Sequence, residues 1–104
     1  MDRDTGALAV SETRDTVKMP MMYAVVMFND DITTMDFVVD LLMRVFHKSP
    51  VEASAVMMAI HEGGQGIAGI YTYDVAVTKK KYADQLSAER GFPLRLAVQE
   101  TEWP

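Results

Sequence analysis

An apolar run from Met22 to Phe28 ends abruptly at Asn29-Asp30-Asp31, and an amphipathic pattern begins a few residues later. The run is apolar at both alternating sets of positions, so it reads as a strand that is central in its sheet or covered. Asn and Asp disfavour strands and favour turns, so the three polar residues stop the strand and turn the chain. Their oxygens then stand at the mouth of whatever the strand and the following helix enclose. Acidic and amide oxygens beside apolar walls suit a cationic ligand with an apolar attachment.

The helix after this turn is well marked. Thr33 reads as its N-cap, with Asp36 three residues on completing a capping box. Phe37, Val38, Leu41, Leu42, Val45 and Phe46 fall on one continuous helical face, and Asp40 and Arg44 fit the opposite one. Ser49-Pro50-Val51-Glu52 starts a second helix: Ser49 caps, Pro50 takes the first helical position and Glu52 reaches back. That helix runs through Val56, Met57, Ala59 and Ile60 and stops at Gly63-Gly64. The short link at His47-Lys48 makes the two helices a hairpin.

Ile67 to Thr72 reads as a second strand, where Gly69 either weakens the strand or admits a close neighbour. Thr72 or Asp74 opens a third helix that ends near Arg90, with Gly91 as its stop. Val75, Tyr82, Ala83 and Leu86 form its expected inner stripe, and Lys79, Lys80 and Lys81 its solvated face. After Pro93, Leu94, Leu96 and Val98 alternate with Arg95, Ala97 and Gln99, the period of a half-buried strand. The order β-α-α-β-α-β predicts an α+β fold: a single small domain with a three-stranded antiparallel sheet packed against three helices. Residues 1–18 are polar and of mixed charge, so a flexible N-terminal extension is expected there, with the core domain over 19–104.

A chain of 104 residues makes one domain the natural expectation. Its net charge of −5 argues against nucleic acid as a partner, because phosphate contacts need clustered Lys and Arg. With no cysteine, no disulfide framework, thiolate zinc site or catalytic thiol can form. The longest apolar run, Met19 to Phe28, contains Pro20 and is far too short for a bilayer, and residues 1–18 do not resemble a secretory signal. A cytoplasmic protein with no membrane partner is the expectation.

His47 and His61 are the only histidines. His47 closes the first helix, where a cation complements the helix dipole. His61 lies near the end of the second helix, one turn after Met57. Asp30, Asp31 and His61 have the chemistry to bind a divalent ion, but no His-rich or Glu-x-x-His spacing supports a metal site. There is no G-x-S-x-G elbow, and the glycines from Gly63 to Gly69 do not make a phosphate-binding loop. A binding protein without catalytic residues, metal or cofactor is therefore expected. The nine methionines bear on what it binds, because Met forms adaptable pocket walls as well as core filler. Met43 and Met58 read as filler. Met35, just past the acidic turn, and Met57, one turn before His61, could line a pocket for a hydrophobic side chain beside an ammonium group.

Taken together, these stretches resemble the ClpS family, adaptors that deliver N-end-rule (N-degron) substrates to a Clp AAA+ unfoldase–protease. The resemblance rests on Met22-Tyr23, Asn29-Asp30-Asp31, Thr33-x-Met35-x-Phe37-Val38, Met57-x-x-Ile60-His61, Gly69-Ile70-Tyr71-Thr72, Val75-Ala76-x-Thr78-Lys79 and Pro93-Leu94, in the family's order over about residues 19–99. It implies that Asn29, Asp31 and His61 hold a substrate's free α-amino group, with Asp30 beside them. It also implies that Thr33, Met35, Val38, Met57 and Leu94 line the side-chain pocket. The implied substrates begin with Leu, Phe, Tyr or Trp, and the residue at Met35's position restricts β-branched ones. Asp74 and Lys79 match positions that dock to a ClpA-like ATPase working with ClpP. The leader resembles an extension that helps hand over the substrate, and the resemblance implies a monomer. Two departures stand out: Thr34 where many members have Pro, and Gly64-Gln65-Gly66 in place of a Gly-Lys step. The alternative is a docking domain of the same fold, as in the C-terminal domain of the ribosomal stalk protein, which would not need the Asn29-Asp30-Asp31 and His61 set.

Overall fold

Strand β1, Met22–Phe28, is the middle of a three-stranded sheet of order β2-β1-β3, where β2 is Gln65–Tyr71 and β3 is Arg95–Thr101. The computed structural model describes residues 21–102. The leader over residues 1–18 lies outside them. Both neighbours run antiparallel to β1. The central position explains why β1 is apolar throughout: Val25 and Met27 join the helix-side core, and Ala24 and Val26 are buried outside that cluster. Val25 pairs with Gly69 and Val26 with Ile67, so Ala68 is an extra, bulged residue.

Among the described residues three helices accompany the sheet: α1, Met35–Arg44; α2, Pro50–Gly63; and α3, Tyr73–Glu89. The α+β order β-α-α-β-α-β is the one expected. Phe37, Val38, Leu41, Leu42, Val45 and Phe46 are all buried, so the face read for α1 is its core face. The Asp40–Arg44 pair closes at 3.1 Å on the outer side.

Several local expectations change. Thr34, not Thr33, caps α1: its hydroxyl accepts from the Phe37 N–H at 3.2 Å. Thr33 is already committed to Asp30, to which it donates both its N–H and its hydroxyl, so no Asp36 box forms on it. In α2, Ala53 and Ile60 are buried, and Ala59 is exposed. Strand β2 starts two positions earlier than expected, at Gln65. In α3 the buried stripe is Ala76, Ala83 and Ser87, with Leu86 half-buried, whereas Val75 and Tyr82 are exposed. The small buried residues let α3 lie close on the sheet and leave its large side chains outside. Nor do all three lysines simply face water. Lys79 Nζ donates to the Val45 carbonyl at 2.7 Å, capping the end of α1, and Lys80 pairs with Asp84 at 2.7 Å.

The start of α2 is as read. Ser49 Oγ accepts from the Glu52 N–H at 3.1 Å, and Glu52 Oε1 accepts from the Ser49 N–H at 2.9 Å. Replacing Ser49 with Ala is expected to lower stability by about 1 kcal/mol, measured by urea unfolding. The Ser49 N–H, then the Ser49 side chain, hold the Glu52 carboxyl below its ordinary range, and a weak desolvation opposes them. A carboxyl lowered in the folded state stabilises fully above its unfolded value and loses that contribution as pH falls through the folded one. Acidification below about pH 4.5 should therefore lower the melting temperature of the wild type more than that of Glu52→Gln.

Candidate functional site

Two backbone features bring the acidic turn to the end of α2. The chain leaves α2 through Gly64, whose φ of 92° is the left-handed conformation that glycine adopts without penalty. The Gly64 N–H donates to the Ile60 carbonyl at 2.9 Å, and its carbonyl accepts from the Asn29 N–H at 2.9 Å. The residue that follows β1 is thus tied to the turn that follows α2. His61 sits one turn back from that tie.

Between these segments lies a cavity of about 250 Å³. Asn29, Asp30, Asp31 and His61 supply its polar lining, and Asn29, Asp31 and His61 are exposed. Thr33, Met35, Val38, Met57 and Ile60 supply its wall. Val38 and Ile60 are buried, Met57 is half-buried and Met35 is exposed. Chemically the cavity offers two carboxylates, one amide oxygen and one imidazole beside apolar surface. Its volume is below the roughly 300–1,000 Å³ of drug-sized ligand sites, so it suits a single residue rather than a long segment.

Eight of the residues singled out in the sequence line this one cavity: Asn29, Asp30, Asp31, Thr33, Met35, Val38, Met57 and His61. Leu94 does not line it; it is buried in the core. Ile60 does line it, although the sequence places it only along the second helix and in the family pattern, not in the pocket. Its place beside His61 on α2, one turn after Val56 and Met57, was the available signal. Among the described residues no group of three or more His, Cys, Asp or Glu side chains is arranged to hold a metal ion.

Asp30 is the most engaged member. Its Oδ1 accepts from the Ile32 N–H at 2.8 Å and the Thr33 N–H at 2.7 Å, and its Oδ2 accepts from the Thr33 hydroxyl at 2.8 Å. Partial burial pushes the carboxyl up, but the Thr33 and Ile32 donors outweigh it and hold it below the ordinary aspartate range.

A larger groove, about 630 Å³, lies between the end of α1 and the outer face of α3. Asp74 and Lys79 line it, with Val75, Tyr82, Arg44 and His47. The Lys79 ammonium that caps α1 also lies 5.4 Å from the centre of the Tyr71 ring. Among the described residues no helix is long and apolar enough to cross a membrane.

Known proteins resemble this chain over most of its length. A family model described as ATP-dependent Clp protease adaptor protein ClpS matches residues 18–97. An ATP-dependent Clp protease adapter protein ClpS of Acetivibrio thermocellus is 48% identical over 91 residues, covering 88% of this chain and 91% of that protein. The protein of the same name from Myxococcus xanthus is 41% identical over 101 residues, covering 97% and 94%. Among solved structures, Agrobacterium tumefaciens ClpS2 bound to L-phenylalaninamide superposes with a TM-score of 0.76 at 36% identity, covering 80% of this chain and all of that one. The chain belongs to the ClpS family of adaptor proteins of the ATP-dependent Clp protease.

Proposed function

We propose that this adaptor binds the free α-amino group and the bulky hydrophobic first side chain of a substrate, Leu, Phe, Tyr or Trp, and delivers it to a ClpA-like unfoldase for degradation by ClpP. The observation that carries the reading is the cavity itself, with Asn29, Asp31 and His61 at a polar rim above a wall of Met35, Val38, Met57 and Ile60. An α-ammonium has three donors. The Asn29 amide oxygen, the Asp31 carboxylate and a neutral His61 nitrogen are three acceptors, and hydrogen bonds to charged groups contribute roughly 1.5–3 kcal/mol each. Burying a Leu or Phe side chain adds about 1.5–3 kcal/mol. A residue inside a chain lacks the ammonium and would leave the acceptors unpaired, so the site reads a chain end. L-phenylalaninamide, bound by the Agrobacterium relative, carries both a free α-amine and an apolar ring.

The groove beside α3 is the natural place for the ATPase to dock. Asp74 supplies a charge there, and exposed Val75 and Tyr82 supply apolar surface. Lys79 takes part chiefly by holding the end of α1, because its ammonium is committed to Val45.

A panel of peptides differing only in the first residue tests the pocket. At about 0.8 kcal/mol per buried CH₂, a Leu-initiated peptide is expected to bind up to roughly 50-fold tighter than an Ala-initiated one. Phe, Tyr and Trp should group with Leu. A flat panel would remove the reading.

A further inference from the structure

We infer that Asp30 is a positioning residue of the binding site: it holds the turn that carries Asp31 and Thr33, and it is not itself a ligand of the ammonium. The inference rests on the cavity being the α-amine site.

Two adjacent carboxylates line the same cavity, and charge alone does not distinguish them. Their hydrogen bonds do. Asp30 Oδ1 takes two backbone N–H groups, from Ile32 and Thr33, and so uses both of its lone pairs. Oδ2 takes the Thr33 hydroxyl. These N–H groups precede α1, and no helical carbonyl is placed to accept them. Asp30 supplies the acceptor, in the manner of an Asx turn extended to a third residue. The same contacts lock Thr33, a wall residue, against the turn. They also leave Thr34 as the cap that sets where α1, and with it Met35 and Val38, begins. Asp31, one position on, is exposed and lines the cavity. Three donors already share the Asp30 charge, whereas the Asp31 carboxylate remains open to a ligand.

Neutral isosteres separate the roles. In Asp30→Asn the amide oxygen can still accept the Ile32 and Thr33 N–H groups, and the amide nitrogen can donate to the Thr33 hydroxyl oxygen. The turn survives and only the charge is lost. Binding of a Leu-initiated peptide to the full chain should be read by fluorescence anisotropy for Asp30→Asn, Asp30→Ala and Asp31→Asn. Thermal melts should accompany each variant. Asp30→Asn is expected to stay within about 3-fold of wild type, and Asp31→Asn to lose at least about 10-fold, the cost of one charge-assisted bond. Asp30→Ala, which removes every acceptor, should lose at least about 10-fold, so that Asn rescues what Ala destroys. The preference for a free over an acetylated amine should persist in Asp30→Asn and collapse in Asp31→Asn. If Asp30→Asn falls as far as Asp31→Asn, Asp30 is a ligand and the inference is overturned. If Asp30→Ala binds like wild type, the turn needs no holding and the inference is likewise overturned. If Asp30→Asn loses binding while Asp31→Asn is silent, the roles are reversed and the inference is overturned; if wild type binds the acetylated peptide as tightly as the free one, the α-amine reading of the rim is what fails.

Discussion

Replacing Asp31 with alanine is expected to weaken binding of a Leu-initiated peptide by about 100-fold, because a charge-assisted hydrogen bond of roughly 2–3 kcal/mol disappears and the ammonium is left without its counter-charge. Asp31 is the carboxylate at the rim that the fold does not use; the Asp30 charge is spent on Ile32 and Thr33. Acetylating the peptide's amine should cost at least as much, since it removes the positive charge and leaves one donor in place of three. Both effects are read in one anisotropy titration with a labelled peptide. Because Asp31 is exposed, added salt should narrow the gap between wild type and variant. An Asp31→Ala protein that binds within two-fold of wild type would withdraw the rim assignment, whatever the side-chain preference proves to be.

Most of the fold was legible because its signals are local. Ser49-Pro50-Val51-Glu52 specifies a helix start whatever surrounds it, and all its bonds are present. The α1 face is equally local, being periodicity alone. What the sequence left ambiguous depends on competition or on size. Thr33 and Thr34 are both competent caps, and the choice falls to Thr34 because Asp30 has already taken the Thr33 hydroxyl. In α3, large apolar residues suggested the inner face, yet tight packing on the sheet buries Ala76, Ala83 and Ser87 and turns Val75 and Tyr82 out into a groove. Hydropathy cannot see that a close helix–sheet approach selects small side chains. Nor can it see that Lys79 reaches back 34 positions to the Val45 carbonyl. The candidate site was legible for another reason. Its residues are chemically unusual where they stand, with an amide and two carboxylates after a strand and a histidine near a helix end. The fold then gives each of them the others as neighbours.

That convergence rests on a glycine, and Gly66→Val is expected to damage fold and site together. Gly66 pairs with the fully buried Met27 at the start of β2. A Cβ there would lie 2.9 Å from Ile60 Cγ1 and 3.3 Å from the Val56 carbonyl oxygen. Neither neighbour can yield cheaply. Ile60 is 3% exposed and already forms the cavity wall, and the Val56 carbonyl is helix backbone. The strain must push α2 away from β2, and α2 carries Met57 and His61. Overpacking of this kind costs about 1–3 kcal/mol. For a domain of this size that is roughly 4–8 °C of melting temperature per kcal/mol. The peptide should also bind at least about 10-fold more weakly, because a shift near 1 Å separates the imidazole from Asn29 and Asp31. Gly63→Ala is the control: no atom lies within 4 Å of the Cβ it would add, its φ is not positive, and alanine favours the helix it ends. That variant should melt at or above the wild-type temperature and bind normally. If Gly66→Val does the same, the strand–helix approach is not what holds His61 opposite the acidic turn.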